Sequence, residues 1–345
     1  MFLLLLIEYL VRTCELLIFP FFVGFLLLFL QTKYPKVPLP VEEANPLPSE
    51  VIPITSQIAG HRPSKYFIPT FLRHPKSPVI YKWVQNNANG LRELRFFQMA
   101  FANDAPEFFK SVRMFIPTYF GTFYSKDEQR LYIGMNDLLA PFKRPNVCDI
   151  KIGTVSYHPD ASLEKRLYEE QKYPWRKSTG LLFCGIQVYD EELDTFFVSR
   201  KHFGLTLDFE RSYSVGLKIF LGCEPRRRAR LAQAFLPILN NLLNWFKETG
   251  HAHFRFCRSS VLLIYDALPT GPVEHVDVKL IDFAHWFEVS PMSSIFEPGY
   301  QLTSGFIYGL SRLISMMHRI IDDSLFDPKP SAAPNLPQIL FNKKT

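Results

Sequence analysis

In two places the chain sets charged side chains into the apolar register of a β-prone run, and this limits what it can fold into. In Pro145-Asn-Val-Cys-Asp149-Ile-Lys151-Ile-Gly153, the charges interleave with Ile150 and Ile152. Residues two apart on an extended backbone face the same side, so Asp149 and Lys151 point into one space. In Val276-Asp-Val-Lys-Leu-Ile-Asp282-Phe-Ala-His285, Asp282 falls on the face of Val276, Val278 and Leu280. A carboxylate that ends an apolar face is costly unless it has a partner. A surface ion pair and a capping aspartate would satisfy the two patterns. So would a reaction centre in which Asp149 accepts a hydroxyl proton, Lys151 neutralises a transferring phosphoryl group and Asp282 holds a divalent metal.

The rest of the sequence narrows the choice only in part. At 345 residues, 47% hydrophobic and 21% charged, the chain can bury one large domain or two lobes and is not disordered as a whole. Its net charge of +6 is partly concentrated, at Arg226, Arg227, Arg228 and Arg230 and between Lys151 and Lys177. Such a balance favours anionic partners, whether nucleic acid, acidic lipid or phosphorylated metabolites. The arginine cluster fits a nuclear signal or a solvated helix start. The five cysteines are dispersed and contain no CxxC pair, so a reducing compartment is expected. His251, His253 and Cys257 fit either a Zn²⁺ site or a plain loop. There is no GxGxxG and no GxxxxGK[ST], so phosphate chemistry here would rest on charged side chains.

Along the chain, residues 1–30 form a hydrophobic segment in which Leu16 to Leu30 carries no charge. That run is short of the roughly 20 residues a spanning helix needs. It fits a membrane anchor, an interfacial segment or a misassigned start, and a cleaved signal peptide fits poorly. Residues 31–55 are rich in proline and are expected to be an extended linker. A strand-rich N-lobe is expected over 56–140, with a strand over Pro78–Val84 that carries Lys82, and a helix over Leu91–Phe109. A larger C-lobe is expected over 141–326. It would hold a helix over Arg228–Lys247 bent at Pro237, a hairpin of Ser260–Tyr265 with Val276–Ile281, and a closing helix over Phe306–Asp322. The tail, 327–345, is expected to be disordered. The fold class is α+β.

Four ordered motifs then point to a family. Pro145-x-x-x-Asp149-x-Lys151-x-Gly153 fits PxxxDxKxG in full. Ser259-Ser260-Val-Leu-Leu-Ile-Tyr265 is similar to an SSLL strand, and Ile281-Asp282-Phe-Ala-His285 to an IDFAH strand. Gly305-Phe-Ile-Tyr-Gly309-Leu310 is similar to a closing GYxxGL segment. Together they resemble the inositol polyphosphate kinase family, over roughly residues 56–322. The resemblance implies a two-lobed fold distantly similar to protein kinases, with ATP between the lobes and Mg²⁺ as the metal. It implies that Lys82 holds the ATP phosphates with Glu93 as its ion-pair partner, and that the loop Asn136-Asp137-Leu138 is the hinge that contacts adenine and ribose. By the same resemblance Asp149 and Lys151 are the catalytic pair and Asp282 is the metal-binding carboxylate. The stretch with Lys165, Arg166, Lys172, Arg176 and Lys177 resembles the family's inositide-binding helices. Lys165 and Lys172, with Lys201 and His285, are the expected substrate contacts.

Within the family, Ser156-Tyr157-His-Pro159 and Lys172-Tyr173-Pro174 resemble the multikinase branch. Asp160-Ala-Ser-Leu-Glu-Lys165, Cys184-Gly-Ile-Gln-Val-Tyr189 and Lys201 resemble the hexakisphosphate kinases. The chain departs from the pattern at Thr303-Ser304, at Asn136 and in the loop from Glu288 to Thr303. The expectation is therefore a multikinase-type transfer from ATP to an inositol hydroxyl. A pyrophosphate-forming kinase and a non-catalytic inositide-binding scaffold are the alternatives. A protein kinase is disfavoured by the missing Gly-rich loop and HRD motif. The expected partner is an inositol polyphosphate rather than nucleic acid. The expected state is a monomer in cytoplasm or nucleus, or at a membrane if residues 1–30 anchor it.

Overall fold

The computed structural model describes residues 40–54, 70–158, 161–268, 271, 273–289 and 298–326. The hydrophobic segment 1–30 and the tail 327–345 lie outside the described residues. Among the described residues no helix is long and apolar enough to cross a membrane.

The N-terminal part is a six-stranded sheet of β1 (Asn45–Pro46), β2 (Ile52–Pro53), β3 (Phe71–Arg73), β4 (Val79–Trp83), β5 (Tyr119–Ser125) and β6 (Arg130–Asn136). The strand order is β1-β5-β6-β4-β3-β2. β1 and β2 come from the stretch expected to be a linker. Its described part instead forms the two edges of the sheet, where a proline without an N–H is tolerated. Leu47 and Val51 pack onto the apolar cluster of Leu72, Tyr81 and Tyr132.

The helix expected over Leu91–Phe109 is two helices, Ala88–Phe101 and Glu107–Val112. Pro106 explains the break, because proline lacks an N–H and disfavours helical backbone in the residue before it. The first helix is capped by the Asn87 side chain, which accepts from the backbone N–H groups of Asn89 and Gly90. It turns Leu94, Phe96, Phe97 and Ala100 into the core.

The C-terminal part adds β7 (Pro145–Ile152), β8 (Leu181–Asp190), β9 (Thr195–Arg200), β10 (Phe254–Phe256), β11 (Ser260–Asp266), β12 (Val276–Ile281) and β13 (Trp286–Glu288). Five of these strands form an antiparallel sheet in the order β12-β11-β7-β8-β9, while β10 pairs with β13. The expected hairpin is β11 with β12. β7 lies at the centre of this sheet and is bulged against β8 between Asp149 and Ile150. The long helix Pro225–Trp245 starts with a proline capped by Glu224 and contains Pro237. The closing helix runs from Pro298 to Phe326.

The motif glycines meet one another. Gly153 has φ +109°, and its N–H donates to the carbonyl of Gly180 at 2.8 Å. A Cβ at Gly309 would lie 2.0 Å from that same carbonyl oxygen. The PxxxDxKxG turn and the Gly-Phe-Ile-Tyr-Gly segment are thus two sides of one close backbone contact, which fixes the end of β7.

Candidate active site

β4 and β7 belong to different sheets, and each aims a lysine at one carboxylate. Lys82, on β4, has its Nζ 2.7 Å from Glu93 Oε1 and 3.2 Å from Asp282 Oδ1. Lys151, on β7, has its Nζ 2.9 Å from Asp282 Oδ2. It also donates to Ser260 Oγ at 3.1 Å and to the carbonyl of Arg258 at 2.9 Å. Asp282 follows β12 in a left-handed conformation, φ +65°. The helix Ala88–Phe101 holds this turn. Phe283 donates its N–H to Glu93 Oε1, Arg92 donates to the carbonyl of Ala284, and Trp286 Nε1 donates to the carbonyl of Arg92. Phe96 stacks on Phe283 with ring centroids 3.9 Å apart.

Electrostatics follow from this packing. Burial pushes the Asp282 carboxyl up, but the ammonium groups of Lys151 and Lys82 outweigh it and hold it below the ordinary carboxylate range. Burial works against charge on Lys82, yet Glu93 and Asp282 raise it above its ordinary value. Lys151 is raised in the same way, chiefly by Asp282. Asp149 behaves oppositely. It is only 2% exposed, and burial with the nearby Asp282 charge raises its carboxyl against the pull of Lys151. Its Oδ1 is buried without a hydrogen-bond partner among the described residues.

These oxygens fit a divalent cation. The Asp282 side chain keeps 37% of its surface open, and Asp149 nearby leaves one buried oxygen without a hydrogen-bond partner among the described residues. Magnesium is usually held by one or two carboxylates, with substrate phosphates and water completing the shell. Among the described residues no group of three or more His, Cys, Asp or Glu could hold a metal by itself. His253 instead stacks on Phe108 at 4.0 Å, and Cys257 is buried.

The expected hinge differs in one respect from a free ribose-binding acid. Asp137 is buried, its Oδ2 lies 2.8 Å from Arg73 Nε, and its Oδ1 accepts from the N–H of Leu139. The Asp137 carboxylate is thus already occupied, and Leu138 beside it packs with Phe142, Val147 and Ile264.

On the other side of Lys151, the cations expected to contact substrate divide. Lys165 pairs with Glu169 at 2.7 Å. Lys172 lies over Tyr168. Lys201 is half-buried, and burial with the charges of Lys172, Lys151 and Arg258 lowers its ammonium. His285 is pushed down to about 4, first by burial and then by Arg258, Arg92 and Lys151. Lys151, Lys201, Arg258 and His285 therefore share one positive field. Arg176 is elsewhere: it is 4% exposed and donates to the carbonyls of Lys151 and Ile152, so it props the end of β7. Lys177 pairs with Glu170, and Arg166 donates to the carbonyl of Ala161. In the arginine cluster, Arg227 and Arg230 pair with Glu274, and Arg228 donates to the carbonyls of Gly222 and Cys223.

Neither Arg258 nor Glu169 was assigned a role from sequence, and Ser260 had none beyond its motif. Ser260 had a usable signal, because it lies opposite Lys151 in the β11–β7 register. Arg258 had none: it sits in a turn at φ +63° and meets Glu169, 89 residues away.

Comparison with known proteins agrees with this architecture. Residues 132–318 match the family model described as inositol polyphosphate kinase. The chain is 30% identical to human inositol polyphosphate multikinase over 233 residues, which cover 67% of this chain and 54% of that protein. It is 31% identical to mouse inositol hexakisphosphate kinase 3 over 218 residues, 57% of this chain and 52% of that one. The chain thus spans about half the length of these curated relatives. Among solved structures, the inositol phosphate multikinase of S. cerevisiae in complex with ADP and Mn²⁺ has the same fold. The TM-score is 0.54 at 23% identity, over 70% of this chain and 99% of that one.

Proposed function

This chain belongs to the inositol polyphosphate kinase family, and we propose that it transfers the γ-phosphate of ATP to a hydroxyl of a phosphorylated inositol, as a multikinase-type enzyme. The observation that carries the proposal is the meeting of Lys82 and Lys151, from two different sheets, on the Asp282 carboxylate. In a protein without a bound anion, two lysines on one aspartate form a closed charge pair. With nucleotide and metal bound, Lys82 and Lys151 would hold phosphate oxygens and Asp282 would hold the cation.

In this arrangement Lys82 binds the non-transferred phosphates, kept in place by Glu93. The loop at Asp137 and Leu138 receives the adenine through its backbone and apolar surface. Asp282 would hold Mg²⁺, which when bound neutralises charge on the ATP phosphates. Lys151 lies between the two carboxylates and stabilises charge on the transferring group. Asp149 accepts the proton of the attacking hydroxyl, and its raised pKa brings it nearer to that task. Lys165, Lys172, Lys201 and His285 bind the acceptor's phosphates.

The similarity to the mouse hexakisphosphate kinase, and Lys201 beside Lys172, favour a second reading in which a more highly phosphorylated acceptor is used. One assay separates the two. The full chain is given labelled ATP and Mg²⁺ with inositol trisphosphate or inositol hexakisphosphate. Labelled tetrakisphosphate supports the multikinase reading. Product from the hexakisphosphate alone supports the second reading, and product from neither refutes both.

A further inference from the structure

Arg258 has no part in the machinery above, yet its backbone and its side chain both reach into it. It lies between β10 and β11 in a left-handed conformation, φ +63°. Its carbonyl accepts from Lys151 Nζ at 2.9 Å. The next residue, Ser259, donates its hydroxyl to the carbonyl of Asp282 at 2.9 Å, and Ser260 Oγ accepts from Lys151 at 3.1 Å. The backbone of Arg258 is therefore fixed against the reaction centre itself.

The side chain crosses to the helix Leu163–Lys172, where Nη2 lies 3.2 Å and 3.3 Å from the two oxygens of Glu169. Glu169 already receives Lys165. Its single negative charge therefore does not balance Lys165 and Arg258 together, and Lys172 and Lys201 adjoin them. Nε and Nη1 of Arg258 have no partner among the described residues. A guanidinium held by one nitrogen, with the rest of its fork free inside a field of surplus positive charge, is arranged for a phosphate.

We propose that Arg258 binds a phosphate of the acceptor close to the reacting oxygen, and so helps to set which inositol phosphates are used. This rests on the kinase reading and adds to it a residue outside the cation set named there. Lys151 is tied to the carbonyl of Arg258, so a phosphate on its guanidinium sits within one side-chain length of the transferring group. Lys165, on the helix Leu163–Lys172, meets the same Glu169 carboxylate, but its backbone is not tied to the reaction centre.

The test is calorimetric binding of inositol 1,4,5-trisphosphate and, separately, of ATP to full-length wild type, R258K and R258G, with phosphate transfer measured on the same preparations. Glycine suits the left-handed backbone at this position and keeps the carbonyl that holds Lys151, so R258G removes the guanidinium and leaves the turn. The expected result is about ten- to a hundredfold weaker trisphosphate binding in R258G, a smaller loss in R258K, and ATP affinity within about twofold of wild type. Equal trisphosphate affinity in wild type and R258G, with transfer intact in both, would overturn the role of Arg258 and leave the kinase reading standing. Equal weakening of ATP and trisphosphate would also overturn it, because the residue would then act on the site's fold. No binding of and no transfer to either the trisphosphate or inositol hexakisphosphate by the wild type would overturn both.

Discussion

Asp282 occupies a backbone region that costs a non-glycine residue roughly 1–2 kcal/mol, and there it faces two ammonium groups. Its carboxylate is therefore held by its surroundings, and removing the charge should affect chemistry more than folding. D282N is expected to lower transfer by roughly 10²–10³-fold or more, with a cooperative unfolding transition retained. Transfer near the wild-type rate would remove Asp282 from the reaction. His285 makes a pH prediction. Its folded pKa is about 4, below the ordinary value of 6.5, because burial and neighbouring cations disfavour its charged form. Between those values the unfolded chain binds more protons than the folded one, so stability falls as pH drops from about 6.5 towards 4. H285Q is expected to flatten the melting temperature across that window. An unchanged slope would show that His285 does not titrate in the folded protein as described. At this scale the sequence was legible wherever charge sat on an apolar face, as at Asp149, Lys151 and Asp282. It was silent at Arg258, whose partner Glu169 is 89 residues away.

Among the elements, the end of β7 depends on the backbone contact of Gly153, Gly180 and Gly309. A Cβ at position 309 would meet the Gly180 carbonyl oxygen at 2.0 Å, a backbone atom that a rotamer change cannot move away. G309A is expected to destabilise the fold by about 1–3 kcal/mol. The check is the urea midpoint at constant m-value, and a midpoint equal to wild type would show that the helix Pro298–Phe326 can shift freely. Strands and hairpin were readable from period and turn residues, because alternation and a loop holding Pro269, Gly271 and Pro272 are local signals. The edge strands β1 and β2 were not readable. A proline-rich stretch looks the same in sequence whether it runs free or lines a sheet edge, and only the distant apolar cluster of Leu72, Tyr81 and Tyr132 decides.

Over the whole molecule, the two sheets are joined through the helix Ala88–Phe101 and the turn after β12. One apolar core contains Phe96 and Phe97 from the first part together with Ile150, Phe256 and Phe283 from the second. Ligands that bind across this junction should stabilise both parts at once. Mg-ATP at a hundred times its dissociation constant is expected to add about 2.7 kcal/mol to wild-type stability, read as a rise in melting temperature that D282N largely loses. An equal rise in D282N would place nucleotide binding away from this carboxylate. The two-part α+β organisation was visible in the order of strands and helices. Their joining was not, because the contacts of Lys82 with Asp282 and of Arg92 with Ala284 span about two hundred residues.

The most direct test of the central claim is product analysis after incubating the full chain with γ-labelled ATP, Mg²⁺ and inositol trisphosphate. The label is expected in inositol tetrakisphosphate, formed by wild type and lost in D282N. If wild type binds ATP with magnesium but moves no label to any inositol phosphate, the constellation of Lys82, Lys151 and Asp282 binds nucleotide without turnover, and the kinase account is wrong.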